Sequence, residues 1–114
     1  MPTIVCYMEM TLRRVAIAQK QVLIVSGDIE LGSLPRFNDA LSRLVTDDAG
    51  HVVVVDIDGT GVIEDAALGL ILGAAGRARA AGGDIEIVCT DARLRQRFAE
   101  NGFDRAVTIN QSIH

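Results

Sequence analysis

The chain reads as one α/β domain with a mixed β-sheet: antiparallel strands at the N-terminus, parallel strands later, and helices packed on them. Three observations predict this. The opening segment alternates, with Ile4, Cys6, Met8, Met10 and Leu12 on one face, which is the period of a strand. From Ser26 onward, helical periodicities take turns with short β-branched runs. The run Val52-Val53-Val54-Val55 does not alternate at all, as expected of a strand covered on both faces. The expected order is ββαβαβαβ, with right-handed crossovers between parallel strands.

Each element has its own signal. Past Arg13-Arg14 the apolar phase moves to Val15 and Ile17, so a bulge or strand break is expected there. Gln19-Lys20 reads as a hairpin turn into Val22–Val25. Leu34, Phe37, Leu41, Leu44 and Val45 recur at helical spacing, with Ser33 as the expected cap and Pro35 in the first turn. The polar stretch from Thr46 to Gly50 ends that helix. A second helix is expected over 66–81, capped by Asp65, with Leu68, Ile71, Leu72 and Ala75 as its buried stripe. Gly82-Gly83 stops it, and 85–89 form the next strand. Asp91 caps a short helix with Leu94 and Phe98 inward and Arg93, Arg95 and Arg97 outward, ended by Asn101-Gly102. Residues 106–109 read as the last strand.

Composition narrows the function. With 114 residues, 49 % of them apolar, the chain supports one ordinary core; aromatics at 4 % leave it to Val, Ile, Leu and Ala. A net charge of −4 opposes nucleic acid or anionic membrane as a partner. The longest run free of polar side chains, Ala66 to Gly76, is 11 residues, short of the ~18 that membrane insertion needs. No basic segment precedes the apolar N-terminal residues, so a secretory leader is not expected and the cytoplasm is the expected location. No metal or cofactor is expected: two cysteines without a CxxC pair supply too few zinc ligands.

The segment VVVVDIDGTGVIED, Val52 to Asp65, is chemically suggestive, because a buried strand delivers Asp56 and Asp58 to what reads as a Gly-containing turn. Asp56-Ile57-Asp58-Gly59-Thr60 resembles the DxDGT nucleophile motif of haloacid-dehalogenase-type phosphatases, which would make the chain a Mg²⁺-dependent enzyme, and Thr90 resembles that family's second motif. The resemblance stops there: the family needs a downstream Lys, and none follows Lys20; it needs a further acidic pair, and Asp104 stands alone. A receiver domain would also place an Asp after its third strand, but the acidic pair and late Lys of that family are missing too. The simpler alternative is that Asp56 and Asp58 close a turn on backbone N–H groups.

A longer resemblance spans Val22 to Ile109. Val25-Ser26-Gly27-Asp28-Ile29-Glu30, the Val-rich strand, Gly69 with its helix, Gly82-Gly83-Asp84-Ile85-Glu86-Ile87-Val88 and Arg97-Phe98-Ala99-Glu100-Asn101-Gly102-Phe103-Asp104 follow one another in order and spacing. Together they resemble the STAS domain of bacterial anti-sigma factor antagonists. The resemblance implies a STAS-like mixed sheet over 13–110, an extra N-terminal strand or arm over 1–12, and a tail over 111–114. It implies a non-enzymatic regulator, free of cofactors, that binds an anti-sigma factor of the GHKL-type Ser/Thr kinase class and so releases sigma factor. The alternative within the same fold is a scaffold subunit of a stress-signalling or lipid-transport complex.

In such antagonists a Ser at the start of the second helix, in a D-S-S/T-G-L pattern, accepts phosphate from the kinase, and the added charge breaks the complex. The matching segment here is Glu64-Asp65-Ala66-Ala67-Leu68-Gly69. Ala66 stands at the acceptor position, and a methyl group cannot take phosphate. The resemblance therefore implies a partner-binding surface of Asp28, Glu30, Asp58, Glu64, Asp65, Ala66, Ala67, Leu68 and Gly69 that is not phosphorylated at its usual site. Asp65 carries two readings: an N-cap for the helix, or a fixed charge imitating the phosphorylated state. Cys6 and Cys89 permit redox control instead, if their Cα atoms lie within ~7 Å; otherwise Cys89 is a small buried hydrophobe. The chain stops soon after its last strand, where this family usually adds a helix, so a homodimer is a further expectation.

Overall fold

Residues 8–113 are described by a computed structural model, and in them the helices gather on one face of a five-stranded sheet. The order is β1 (Thr11–Ile17), β2 (Lys20–Ile29), a 3-10 turn (Leu31–Ser33), α1 (Leu34–Asp47), β3 (Val52–Ile63), α2 (Asp65–Ala80), β4 (Asp84–Val88), α3 (Ala92–Asn101), α4 (Phe103–Ala106) and β5 (Thr108–Asn110). The strands lie side by side in chain order. β1 runs antiparallel to β2, and every later pair is parallel. The mixed sheet expected from sequence is present.

Strand alternation divides the core in two. Leu23, Val25, Val53, Val55, Ile85 and Ile87 point into the main cluster, where Phe37 and Leu41 of α1, Ile71 and Ala74 of α2, Phe98 of α3 and Phe103 of α4 meet them. Val22, Val54 and Val88 point the other way, sheltered by Val15, Ile24 and Ile113 rather than by a helix. The unbroken Val run is thus buried on both faces, but one cover is made of strand and tail side chains.

That second cluster removes the expected break at Arg13-Arg14. β1 pairs with β2 without interruption from Thr11↔Ser26 to Ile17↔Lys20. Leu12 packs on the helical side and Val15 on the other, so a change of apolar face is a change between two cores and not a slip. The boundary drawn between 12 and 13 falls inside β1. Met10 is already core, and Ile113 of the expected tail packs on the second cluster. Residues 1–7, including Cys6, and residue 114 lie outside the described residues.

Other boundaries move for local reasons. The hairpin turns on Ala18 and Gln19, at φ 52° and 66°, and Lys20 opens β2; two left-handed residues match the twist of a tight hairpin. Ser33 makes no side-chain bond to α1; its hydroxyl accepts from the Glu30 amide at 3.0 Å, reciprocating the Glu30 carboxylate in a box around the 3-10 turn. α1 runs on through Thr46-Asp47. Leu72 is 40 % exposed, and small residues, Ala67, Ala74, Ala75 and Ala78, occupy the buried stripe of α2 with Leu68 and Ile71. The last strand is shortened by α4, which seats Phe103 against Phe98 with ring centroids 4.9 Å apart. Asp91 caps α3 through the Arg93 and Leu94 amides, and Gly102 ends it at φ 79°, both as expected.

The largest correction concerns the acidic turn. β3 does not end at Val55; it runs for 12 residues, from Val52 through Asp56-Ile57-Asp58-Gly59-Thr60-Gly61 to Ile63. Two register shifts against β2, between Ile24 and Ser26 and between Gly27 and Ile29, each add a residue to β3. Bulges absorb the glycines that read as a turn.

Candidate functional site

β3 delivers the chain to α2 at the end of the sheet where β2 also finishes. Glu64 is the N-cap of α2 by backbone geometry, yet its side chain makes no capping bond, and Asp65 is the first helical residue. The expected Asp65 cap is therefore corrected: its carboxylate pairs with the Arg97 guanidinium instead. Arg97 in turn is not simply outward. It reaches from α3, and its other terminal nitrogen donates to the Ile63 carbonyl at 2.7 Å. One planar fork thus fixes the residue before Glu64 and the residue after it. The helix dipole favours Asp65 at this position, while Arg97 offsets its charge.

Ala66 lies on the exposed side of this first turn. A groove of about 400 Å³ borders it, lined by Leu31, Leu34, Pro35, Asn38 and Leu70. On the opposite flank of α2 lies a groove of about 600 Å³ whose apolar wall includes Leu68, Leu72, Phe103 and Ala106, with Asp65 and Arg97 at its mouth. Leu31 is 68 % exposed and Val62 46 % exposed. An apolar surface with a charged rim, flanking a helix start, can receive a protein partner.

The residues expected to bind a partner do not all reach that surface. Glu64, Asp65, Ala66 and Gly69 do. Ala67 points into the core, and Leu68, though buried, shows an edge at the wall of the larger groove. Glu30 stands next to the 3-10 turn, its carboxylate accepting the Gly32 amide at 2.6 Å. Asp28 is corrected: it is buried, and both carboxylate oxygens accept backbone amides, from Val62 and Met8. Asp58 belongs to another contact, where Oδ1 accepts the Thr90 amide at 2.6 Å and the Thr90 hydroxyl at 3.1 Å. It ties β3 to the loop after β4. Asp56 accepts the Asp58 amide at 2.9 Å.

These last bonds bear on the phosphatase resemblance. Asp56 and Asp58 lie within a continuous strand, so no open loop forms there to cradle a phosphate, and Thr90 spends both its donors on Asp58. Among the described residues, no three His, Cys, Asp or Glu side chains are placed to share a metal ion.

Cys89 is buried and unpaired among the described residues. Burial pushes its thiol up from the ordinary value; a backbone hydrogen bond with Asp91 opposes this, the Asp58 and Asp91 charges add to it, and Arg95 opposes it. A buried thiol held neutral is a poor nucleophile, which fits a small core residue, while the separation of Cys89 from Cys6 lies outside the described residues.

Sequence reasoning missed Arg97, Leu31 and Val62. Arg97 shares a short helix with Arg93 and Arg95, and nothing in their spacing singles it out. Leu31 was open to view as the one large apolar residue between Glu30 and Ser33.

Comparisons with known proteins agree with this geometry. The family model of the STAS domain matches residues 13–114. Among solved structures, an anti-sigma factor antagonist from Mycobacterium paratuberculosis superposes with a TM-score of 0.81 at 17 % identity, over 92 % of this chain and 88 % of that one. The anti-sigma factor antagonist SpoIIAA in its unphosphorylated form gives 0.70 at 13 % identity, over 88 % of each chain. The protein TM1081 gives 0.75 at 12 % identity, over 98 % of this chain and 90 % of that one. Comparison with curated proteins finds no match. No helix among the described residues is long and apolar enough to cross a membrane.

Proposed function

The chain belongs to the STAS domain family, and from that premise we propose that it is a non-enzymatic regulator of the anti-sigma factor antagonist type. It binds an anti-sigma factor of the GHKL-type Ser/Thr kinase class through the start of α2 and thereby frees sigma factor. It does so without a phosphate switch at the usual position.

The observation that carries this reading is Ala66, exposed on the first turn of α2 between two apolar grooves. The surface for a partner is kept while the acceptor hydroxyl is replaced by a methyl group. The two antagonists among the solved structures share the fold, which supports the class of partner. Glu64 and Asp65 add an acidic edge that orients a basic partner face and speeds association.

Substitutions on this surface test it against the anti-sigma kinases of the cell of origin. Ala66→Arg and Leu31→Asp should each weaken the complex by more than about tenfold, as expected for central contacts of an interface. Thr108→Arg, on exposed β5, should leave it unchanged. Ala66→Ser should create a phosphorylation site in the bound chain. Binding by none of these kinases, or binding indifferent to Ala66→Arg and Leu31→Asp, would overturn the reading.

A further inference from the structure

Asp28 is a buried carboxylate, 8 % exposed, bonded to the end of β3 that leads into α2. Oδ1 accepts the Val62 amide at 2.7 Å and Oδ2 accepts the Met8 amide at 2.8 Å. The Asp28 amide donates back to the Met8 carbonyl at 3.0 Å. Met8 precedes β1, whereas Val62 is the second-last residue of β3. One side chain therefore joins two backbone segments far apart in sequence.

Strand geometry explains why an acceptor is needed there. The second register shift between β2 and β3 leaves Gly61 and Val62 out of the ladder, between Gly27↔Thr60 and Ile29↔Ile63. The Val62 amide loses a carbonyl partner, and an orphan donor in this partly buried stretch is costly, so the Asp28 carboxylate takes its place. Two glycines keep the space open. A Cβ on Gly61 would overlap Asp28 Oδ1, and one on Gly27, at φ 80°, would overlap the Glu9 carbonyl. Beyond Val62, Arg97 takes the Ile63 carbonyl, and the Glu64 amide donates to the Ile29 carbonyl at 2.9 Å. Every residue from Val62 to Asp65 is held from outside its own segment, and Asp28 makes the first of these bonds.

We propose that Asp28 is the positioning residue of this surface. It couples the backbone at Met8 to Val62–Asp65, so that releasing either bond loosens the segment that presents Ala66. The functional weight of the coupling rests on the docking reading, but the coupling itself is measurable without any partner.

Amide hydrogen exchange on the full chain tests it. Met8→Pro deletes one donor to Asp28 and touches neither Val62 nor α2. Exchange at Val62 and Glu64 should then quicken by about tenfold, while Val54 and Ile87 change only as far as the urea midpoint dictates. Asp28→Asn, which keeps the shape but one acceptor oxygen, should give the same local pattern. So should Gly61→Ala, which displaces the carboxylate, and Met8→Pro carries the test if either of these fails to fold. Val62 exchanging at its original rate in Met8→Pro, or quickening only in proportion to the core amides, would overturn the coupling. Normal kinase binding without coupling counts against this inference alone; intact coupling without binding counts against the docking reading alone.

Discussion

Arg97 makes two contacts with unequal consequences. The bond to the Ile63 carbonyl holds backbone, while the pair with Asp65 is largely solvated on the Asp65 side. Arg97→Ala should therefore cost about 0.5–1 kcal/mol in urea unfolding, and Asp65→Ala less, because only the first also frees a backbone carbonyl. Equal losses would show that the ion pair carries the whole effect. Cys89 yields a prediction with a definite sign. Its thiol is raised by burial, so the folded chain keeps the proton above the pH at which the unfolded thiol, near pKa ~8.5, gives it up. The unfolded state then binds fewer protons, and stability falls as pH rises through that range until the folded thiol itself titrates. The difference in urea midpoint between the parent chain and Cys89→Ala should shrink from pH 7 to pH 10. Growth of that difference with pH would mean that the thiolate is stabilised in the fold.

Among the elements, β3 and α2 place the surface. Gly59 sits at the first bulge of β3, where a Cβ would come within 2.7 Å of the Ser26 hydroxyl. Gly59→Ala should lower stability by about 1–3 kcal/mol, the usual cost of overpacking, in thermal or urea melts. In α2, Ile71→Ala opens a cavity beneath a fully buried position and should cost about 2–5 kcal/mol, whereas Leu72→Ala, on the exposed groove wall, should cost under 1 kcal/mol. Reversed magnitudes would place Leu72 in the core, where its spacing in sequence puts it. That difference shows what periodicity can resolve. The exposed and buried faces of α2 are both apolar or small, so its pattern fixes the helix but not its rotation. The Asp-Gly-Thr-Gly stretch fails as a turn for a related reason: local signals for a turn and for a bulged strand use the same glycines, and only pairing with β2 separates them. Asp91 and Gly102 were legible because a cap and a left-handed stop are settled within a few residues.

For the whole molecule, the element order and the mixed strand directions followed from the alternation of helix and strand periods, and the STAS resemblance from segments spread over most of the chain. The candidate site was legible as a location, the start of α2, and not as a surface. Asp28 looks like a rim carboxylate until the bulge beside Val62 draws it inward, and Arg97 looks like solvated charge until α3 swings it across to Ile63. Both depend on contacts between distant segments, which single-chain patterns do not carry. The function we propose is engagement of a kinase by the STAS surface with no acceptor at Ala66. The direct measurement is native mass spectrometry of the chain mixed with each anti-sigma kinase of its own cell and ATP. A lasting complex containing the unmodified chain is the predicted result; a phosphate-bearing chain released from the kinase would contradict it.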